Sequence, residues 1–185
     1  MSRSVLDATR VDRYDPPMSN TDDFSRRYRN TMGLFATGVT VMVRSVGGEM
    51  RGMTANAVTS VSLDPTLLIV CPAKKAEIAE DIAVGDTFTL NILGEHQEAL
   101  SSWYAKMIQE EPAHELVAWE AAGDAPRIAD SLGSLACRVH ALHEGGDHWI
   151  VVGEVTDLHQ EGESRAPLLF HGGRYAKLAP PAADA

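Results

Sequence analysis

Arg51-Gly52-Met53-Thr54-Ala55-Asn56-Ala57-Val58-Thr59-Ser60-Val61-Ser62-Leu63-Asp64-Pro65 reads as extended chain with an unusual filling. A strand buried in a core carries Val, Ile and Phe. This one carries Thr54, Asn56, Thr59, Ser60 and Ser62 through its middle. Two readings stand at the level of the residues. One is an edge strand with a polar outer face. The other is a floor for a flat polar ligand, whose ring oxygens and nitrogens meet backbone amides and short side chains at close range.

The flanking segments supply the frame. Upstream, residues 35–44 alternate Val39, Val41 and Val43 with Thr40 and Met42, the period of a strand. Gly47-Gly48 then turns this strand into the polar stretch as a hairpin. Downstream, Leu67-Leu68-Ile69-Val70-Cys71 is a continuous apolar run, expected to be buried on both faces. Residues 74–84 are expected to be helical, closed by Gly85, and residues 95–106 to form a helix with His96, Leu100 and Trp103 on one face. Between and after them come strands over residues 87–93, 134–143, 148–159, 167–170 and 174–178, several joined at Gly145-Gly146 and Gly172-Gly173. Residues 107–133 read as a long irregular loop. Thr21-Asp22-Asp23 opens a short helix carrying Phe24, Tyr28 and Met32, which Gly33 ends. A single domain over residues 21–178 follows, with flexible tails at 1–20 and 179–185. Strands joined by glycine turns point to a mainly β fold, an antiparallel Greek-key barrel with inserted helices. Regular strand–helix alternation and a G-x-G-x-x-G loop are both missing, which excludes a doubly wound dinucleotide fold.

Composition narrows the function classes. The 185 residues are 44% hydrophobic and 23% charged, as in a globular domain. A net charge of −10 argues against a nucleic-acid partner, which needs a basic face. No apolar run approaches the roughly 20 residues of a membrane span. The polar N-terminal segment does not resemble a signal peptide. Cys71 and Cys137 sit in apolar contexts and read as free thiols, which suits the cytoplasm. The histidines are scattered without metal-ligand spacing, so no metal site is expected. No G-x-S-x-G elbow supports a nucleophilic hydrolase.

Four blocks occur in order: Phe35-Ala36-Thr37-Gly38-Val39-Thr40-Val41, Gly52 to Pro65, Gly146-Asp147-His148 with Val152-Gly153-Glu154-Val155, and Pro167-Leu168-Leu169-Phe170 with Gly173-Arg174-Tyr175. In these blocks, over residues 24–178, the chain resembles the flavin reductase family of the FMN-binding split-barrel fold. These are the reductase components of two-component, flavin-dependent monooxygenases. The resemblance implies a homodimeric NAD(P)H:flavin oxidoreductase that uses NADH or NADPH to reduce FMN or FAD. The reduced flavin would pass to a separate monooxygenase.

The resemblance also implies site residues. Arg51, Gly52, Met53, Thr54, Asn56 and Ala57 would line the flavin, and Ser60, Val61 and Ser62 would lie near the polar edge of its ring. Cys71, Pro72, Ala73, Lys74 and Ile78 fall where the family grips the flavin phosphate. Here the chain departs from the family's Ser, Arg or Thr with Lys74-Lys75-Ala76-Glu77, which leaves FMN and FAD both open. Tyr104 would form an aromatic wall, although an aromatic residue on a helix equally suits a core. His148 is the catalytic candidate, placed to handle the nicotinamide, while by itself a histidine after a glycine turn is an exposed loop residue. Phe170, His171, Gly172 and Gly173 are further candidates on the nucleotide side. A split-barrel protein that only binds flavin or haem, and an oxidase acting on pyridoxamine phosphate, are the competing readings.

Overall fold

β2 (Thr40–Val46) is the strand on which the molecule is assembled. Its alternation sends Val41 and Val43, with Val39 before it, to one side and Met42 to the other. Both sides are covered, because two apolar clusters flank it. One cluster holds Met42, Leu68, Val70, Ile78, Phe88, Leu90, Val139 and Val151. The other holds Val39, Val41, Val43, Leu93, Leu100, Tyr104, Ile128 and Leu168. The computed structural model describes residues 21–106, 117–122, 125–161 and 165–179. The tail expected over residues 1–20 lies outside them, as does nearly all of that expected over 179–185.

The described residues begin with α1 (Thr21–Met32), followed by the two-residue β1 (Thr37–Gly38). β2 turns through Gly47 (φ 62°) and Gly48 (φ 89°) into β3 (Glu49–Ala55). Positive φ at both turn positions matches the right-handed twist of a two-residue hairpin and is cheap only for glycine. Asn56-Ala57 then leads to β4 (Val58–Leu63), which returns as β5 (Thr66–Val70). β6 (Thr87–Ile92), β9 (Gly133–Gly145) and β10 (His148–Gln160) complete a seven-stranded antiparallel sheet in the order β3-β2-β6-β9-β10-β5-β4. α2 (Glu98–Tyr104) packs its Leu100 and Tyr104 onto the outer valines of β2. β7 (Trp119–Ala122) pairs with β8 (Ala125–Ile128), and β11 (Leu169–His171) joins β1 to β12 (Arg174–Ala176).

The architecture is mainly β, as expected, but the ladder is not a closed ring. β3 and β4 are the two edges of the large sheet, although they are neighbours in the chain. They diverge from Asn56-Ala57, where Cys71 N–H donates to the Ala57 carbonyl at 3.1 Å.

Four expectations are corrected. Residues 74–84 are not an α-helix: only a 3₁₀ turn, Glu77–Ala79, forms, with extended backbone at Ala76 and Glu80. The Arg44 guanidinium takes the Ile78 and Glu80 carbonyls at 3.2 and 3.0 Å, so they are not free to propagate a helix. The helix expected over 95–106 is a 3₁₀ turn, Glu95–Gln97, followed by α2. Its buried face carries Leu100, Ser101 and Tyr104, while His96 points outward. The expected loop over 107–133 contains the β7–β8 hairpin, tied down by Thr89 Oγ1 donating to Pro126 O at 2.6 Å. Asn91 adds to this by accepting from Ile128 N–H at 2.9 Å. β5 is not buried on both faces: Leu68 and Val70 are inside, whereas Leu67 and Ile69 stay half-exposed. Strands covered on both sides are β2 and, over residues 88–91, β6.

Candidate functional site

The end of the sheet where β3 and β4 part company borders a cleft of about 1010 Å³. Its floor is Asn56 and Ala57 from the β3–β4 link and Val58 and Thr59 from the start of β4, with Ile69 and Cys71 from β5 and its end. Phe35 and Thr37 form one wall, and Phe170, Gly172 and Gly173 of the β11–β12 hairpin form another. Tyr28, Arg29, Asn30, Met32 and Gly33 close the site from α1 and its end. The last two walls are stitched together, since Gly172 N–H donates to the Gly33 carbonyl at 2.8 Å. Gly172 (φ 60°) and Gly173 (φ 77°) occupy a backbone region that other residues avoid, which keeps this wall thin.

The volume suits a ligand of nucleotide size and the lining is largely apolar with a few polar groups, as binding clefts are. One of those groups lacks a partner. Thr37 Oγ1 is buried and makes no hydrogen bond among the described residues. A buried hydroxyl left unpaired costs free energy, so a ligand atom that completes it is favoured. The Cys71 thiol is pushed up from its ordinary pKa by burial and stays neutral at physiological pH.

His148 stands outside this lining, beside the chain that continues from Cys71. Trp149 N–H donates to the Pro72 carbonyl and Lys74 N–H to the Asp147 carbonyl, both at 2.9 Å, so Pro72-Ala73-Lys74 lies against the tip of the β9–β10 hairpin. The imidazole Nδ1 is 2.8 Å from Asp147 Oδ1. That hydrogen bond, and then the imidazole's charge, hold the Asp147 carboxyl below the usual carboxylate range. Both side chains face solvent.

Of the residues expected at the site, Asn56, Ala57, Cys71, Phe170, Gly172 and Gly173 converge on the cleft. Others are engaged elsewhere. Arg51 pairs with Glu80 at 2.8 Å. Gly52 lies under the Tyr104 ring, where an added Cβ would come within 2.3 Å of Cε1. Tyr104 belongs to the outer core and its burial raises the phenol to about 12. Met53 packs against the inner core, and Ile78 is fully buried within it, so its side chain does not reach the cleft. Thr54 Oγ1 donates to Ser101 O at 2.6 Å. Ser60 lines a second, smaller groove, Val61 is exposed, and Ser62 Oγ accepts from Asp64 N–H at 3.2 Å. Pro72 is buried, Ala73 bridges to His148, and His171 is exposed opposite Arg174. Lys74 reaches Glu144 at 3.6 Å and sits 4.7 Å over the Trp149 ring. Tyr28, Arg29, Phe35 and Thr37 line the cleft and were not singled out from the sequence. The apolar, four-apart spacing of α1 and the opening block containing Phe35 and Thr37 were the available signals.

The model of the flavin reductase like domain matches residues 32–179. The NADH-dependent FAD reductase of Streptomyces globisporus is 38% identical over 174 residues, which cover 90% of this chain and 93% of that protein. The reductase component of 4-hydroxyphenylacetate 3-monooxygenase from Thermus thermophilus is 36% identical over 154 residues, 83% of this chain and 97% of that protein. Among solved structures, the flavin reductase PheA2 in its native state superposes with a TM-score of 0.78 at 40% identity, covering 84% of this chain and 98% of that one. The chain therefore belongs to the flavin reductase like family.

Proposed function

We propose that the chain is an NAD(P)H:flavin oxidoreductase that moves a hydride from NADH or NADPH to FMN or FAD and passes the reduced flavin to a separate flavin-dependent monooxygenase. The observation that carries this reading is the cleft at the β3–β4 divergence, with its partnerless Thr37 hydroxyl and its thin Gly172-Gly173 wall. Relatives named as an NADH-dependent FAD reductase and as a monooxygenase reductase component support the reaction and the partner. The large sheet, parted between β3 and β4, supports a split barrel of Greek-key type.

A bound isoalloxazine supplies the hydride-accepting centre. The chain does the rest. Asn56 and Ala57 offer backbone and amide groups at the floor, and Thr37 Oγ1 offers a hydroxyl. Donors fixed in advance stabilise negative charge as it develops on a ring. The neutral Cys71 thiol adds no charge against it. Asp147 holds the His148 imidazole at the rim beyond Cys71, where it can meet the pyridine nucleotide. Arg51, Gly52, Met53, Thr54, Ser60, Val61, Ser62 and Lys74 belong to the surrounding shell in this reading. The protein works as a homodimer in the cytoplasm, where reduced pyridine nucleotide is available and Cys71 and Cys137 remain thiols.

The test is nicotinamide absorbance with purified protein. Oxidation of NADH or NADPH is expected only when FMN or FAD is added. His148→Ala is expected to raise the KM for the nucleotide about tenfold, with flavin affinity kept. Flavin retained with no nucleotide consumed would replace the enzyme by a binding protein.

A further inference from the structure

We propose that Arg29, on the last turn of α1, is the residue that recognises the phosphate of the flavin and makes the cleft prefer FMN and FAD over riboflavin. The proposal rests on the flavin reductase reading above and adds to it a residue and a specificity.

Three observations converge on it. First, Arg29 is the one formally charged residue among the described residues lining the cleft. The remaining described lining is apolar or neutral, so no acid there competes with a ligand phosphate for the solvent-exposed guanidinium. Second, neither lysine of the expected grip, Lys74 or Lys75, lines the cleft, and Lys74, Arg51 and Lys106 are each held by a carboxylate. Arg51 binds Glu80 at 2.8 Å, Lys74 approaches Glu144 at 3.6 Å, and Lys106 binds Glu77 at 2.6 Å. The Lys106 ammonium, through its hydrogen bond and then its charge, holds the Glu77 carboxyl below its ordinary pKa, so this pair persists near neutrality. An entering phosphate would have to displace an acid at each of these positions. Third, Arg29 has no carboxylate partner among the described residues, while Arg26 one turn earlier takes Asp23 at 2.5 Å.

The position of Arg29 is fixed by backbone. Gly33 N–H donates to the Arg29 carbonyl at 2.8 Å, and Gly172 N–H to the Gly33 carbonyl at 2.8 Å. The turn bearing the guanidinium is thereby tied to the glycine hairpin forming the next wall. A planar guanidinium suits two phosphate oxygens at once, in a way an ammonium does not. Riboflavin shares the ring and ribityl chain of FMN and lacks only the phosphate, so it separates this contact from every other one.

The experiment measures steady-state KM and kcat with riboflavin, FMN and FAD for the wild type, Arg29→Ala and Arg29→Lys. Arg29→Ala is expected to raise the KM for FMN and FAD about tenfold more than that for riboflavin, with Arg29→Lys recovering part of the loss. Equal shifts for the three flavins, or none, would overturn the proposal. The far-ultraviolet spectrum and elution volume of each variant report whether it is folded. A wild type that oxidises no nucleotide with any flavin ends the reductase reading instead. Fluorescence titration with riboflavin and FMN then still tests Arg29, and an unchanged FMN-to-riboflavin affinity ratio in Arg29→Ala rejects it.

Discussion

Gly52 has no side chain because the ring of Tyr104 occupies the space. An alanine there would place its Cβ 2.3 Å from Cε1 and 2.7 Å from Cδ1 of a ring packed among Val39, Val41, Val43 and Leu100. Overpacking of this kind costs about 1–3 kcal/mol. Gly52→Ala is expected to lose that much in urea unfolding, and unchanged stability would show that the ring is free to swing aside. The same residue shows what was legible at this scale. A run of small residues signals close approach of something, and the sequence does not say of what. At Asn56, Ala57 and Cys71 the space opens on the cleft, whereas at Gly52 it is filled by Tyr104. Arg29 is not legible as a cleft residue, because its place depends on the end of α1 meeting the β11–β12 hairpin from the far end of the chain.

Among the elements, strands were easier to read than helices. The glycine pairs at 47–48 and 172–173 sit at their turns with positive φ, and β9–β10 turns at Gly146-Asp147. Local sequence determines such turns. Residues 74–84 carry a helical apolar spacing, Ile78 and Ile82, yet their conformation is imposed from another strand. Arg44 lies buried in β2 and binds two of the segment's carbonyls and, at 3.0 Å, the Asp86 carboxylate. No local pattern announces a contact across more than thirty residues. Arg44→Met removes the charge and leaves Asp86 and both carbonyls without that partner. Breaking such a pair costs about 3 kcal/mol. The variant should lose roughly this much, with amide exchange quickened over residues 77–86 before the rest of the sheet. Uniform exchange across the chain would show that Arg44 does not tether the segment.

The whole molecule has an apolar surface that one chain does not cover. Phe24, Tyr28 and Met32 form a stripe along α1, exposed to 59%, 60% and 50%, and Leu34 and Phe35 beyond it are each 71% exposed. An isolated helix under about 12–15 residues is marginal in water, and α1 has 12. Phe35 also lines the second groove, about 440 Å³, whose other residues include Val58, Leu67, Ile92 and Val155. The stripe and the groove thus meet at Phe35. A second copy laid over both about a two-fold axis would cover each with the same surface. Light scattering is expected to give twice the 20.0 kDa of one chain. Phe24→Asp combined with Leu34→Asp should halve that mass, because a carboxylate has no partner in an apolar contact. Since α1 also closes the cleft, flavin affinity should fall in step with the mass. A monomeric variant that binds flavin as tightly as the parent would show that one chain completes the cleft, leaving the stripe and the groove to hold the copies together without shaping the site.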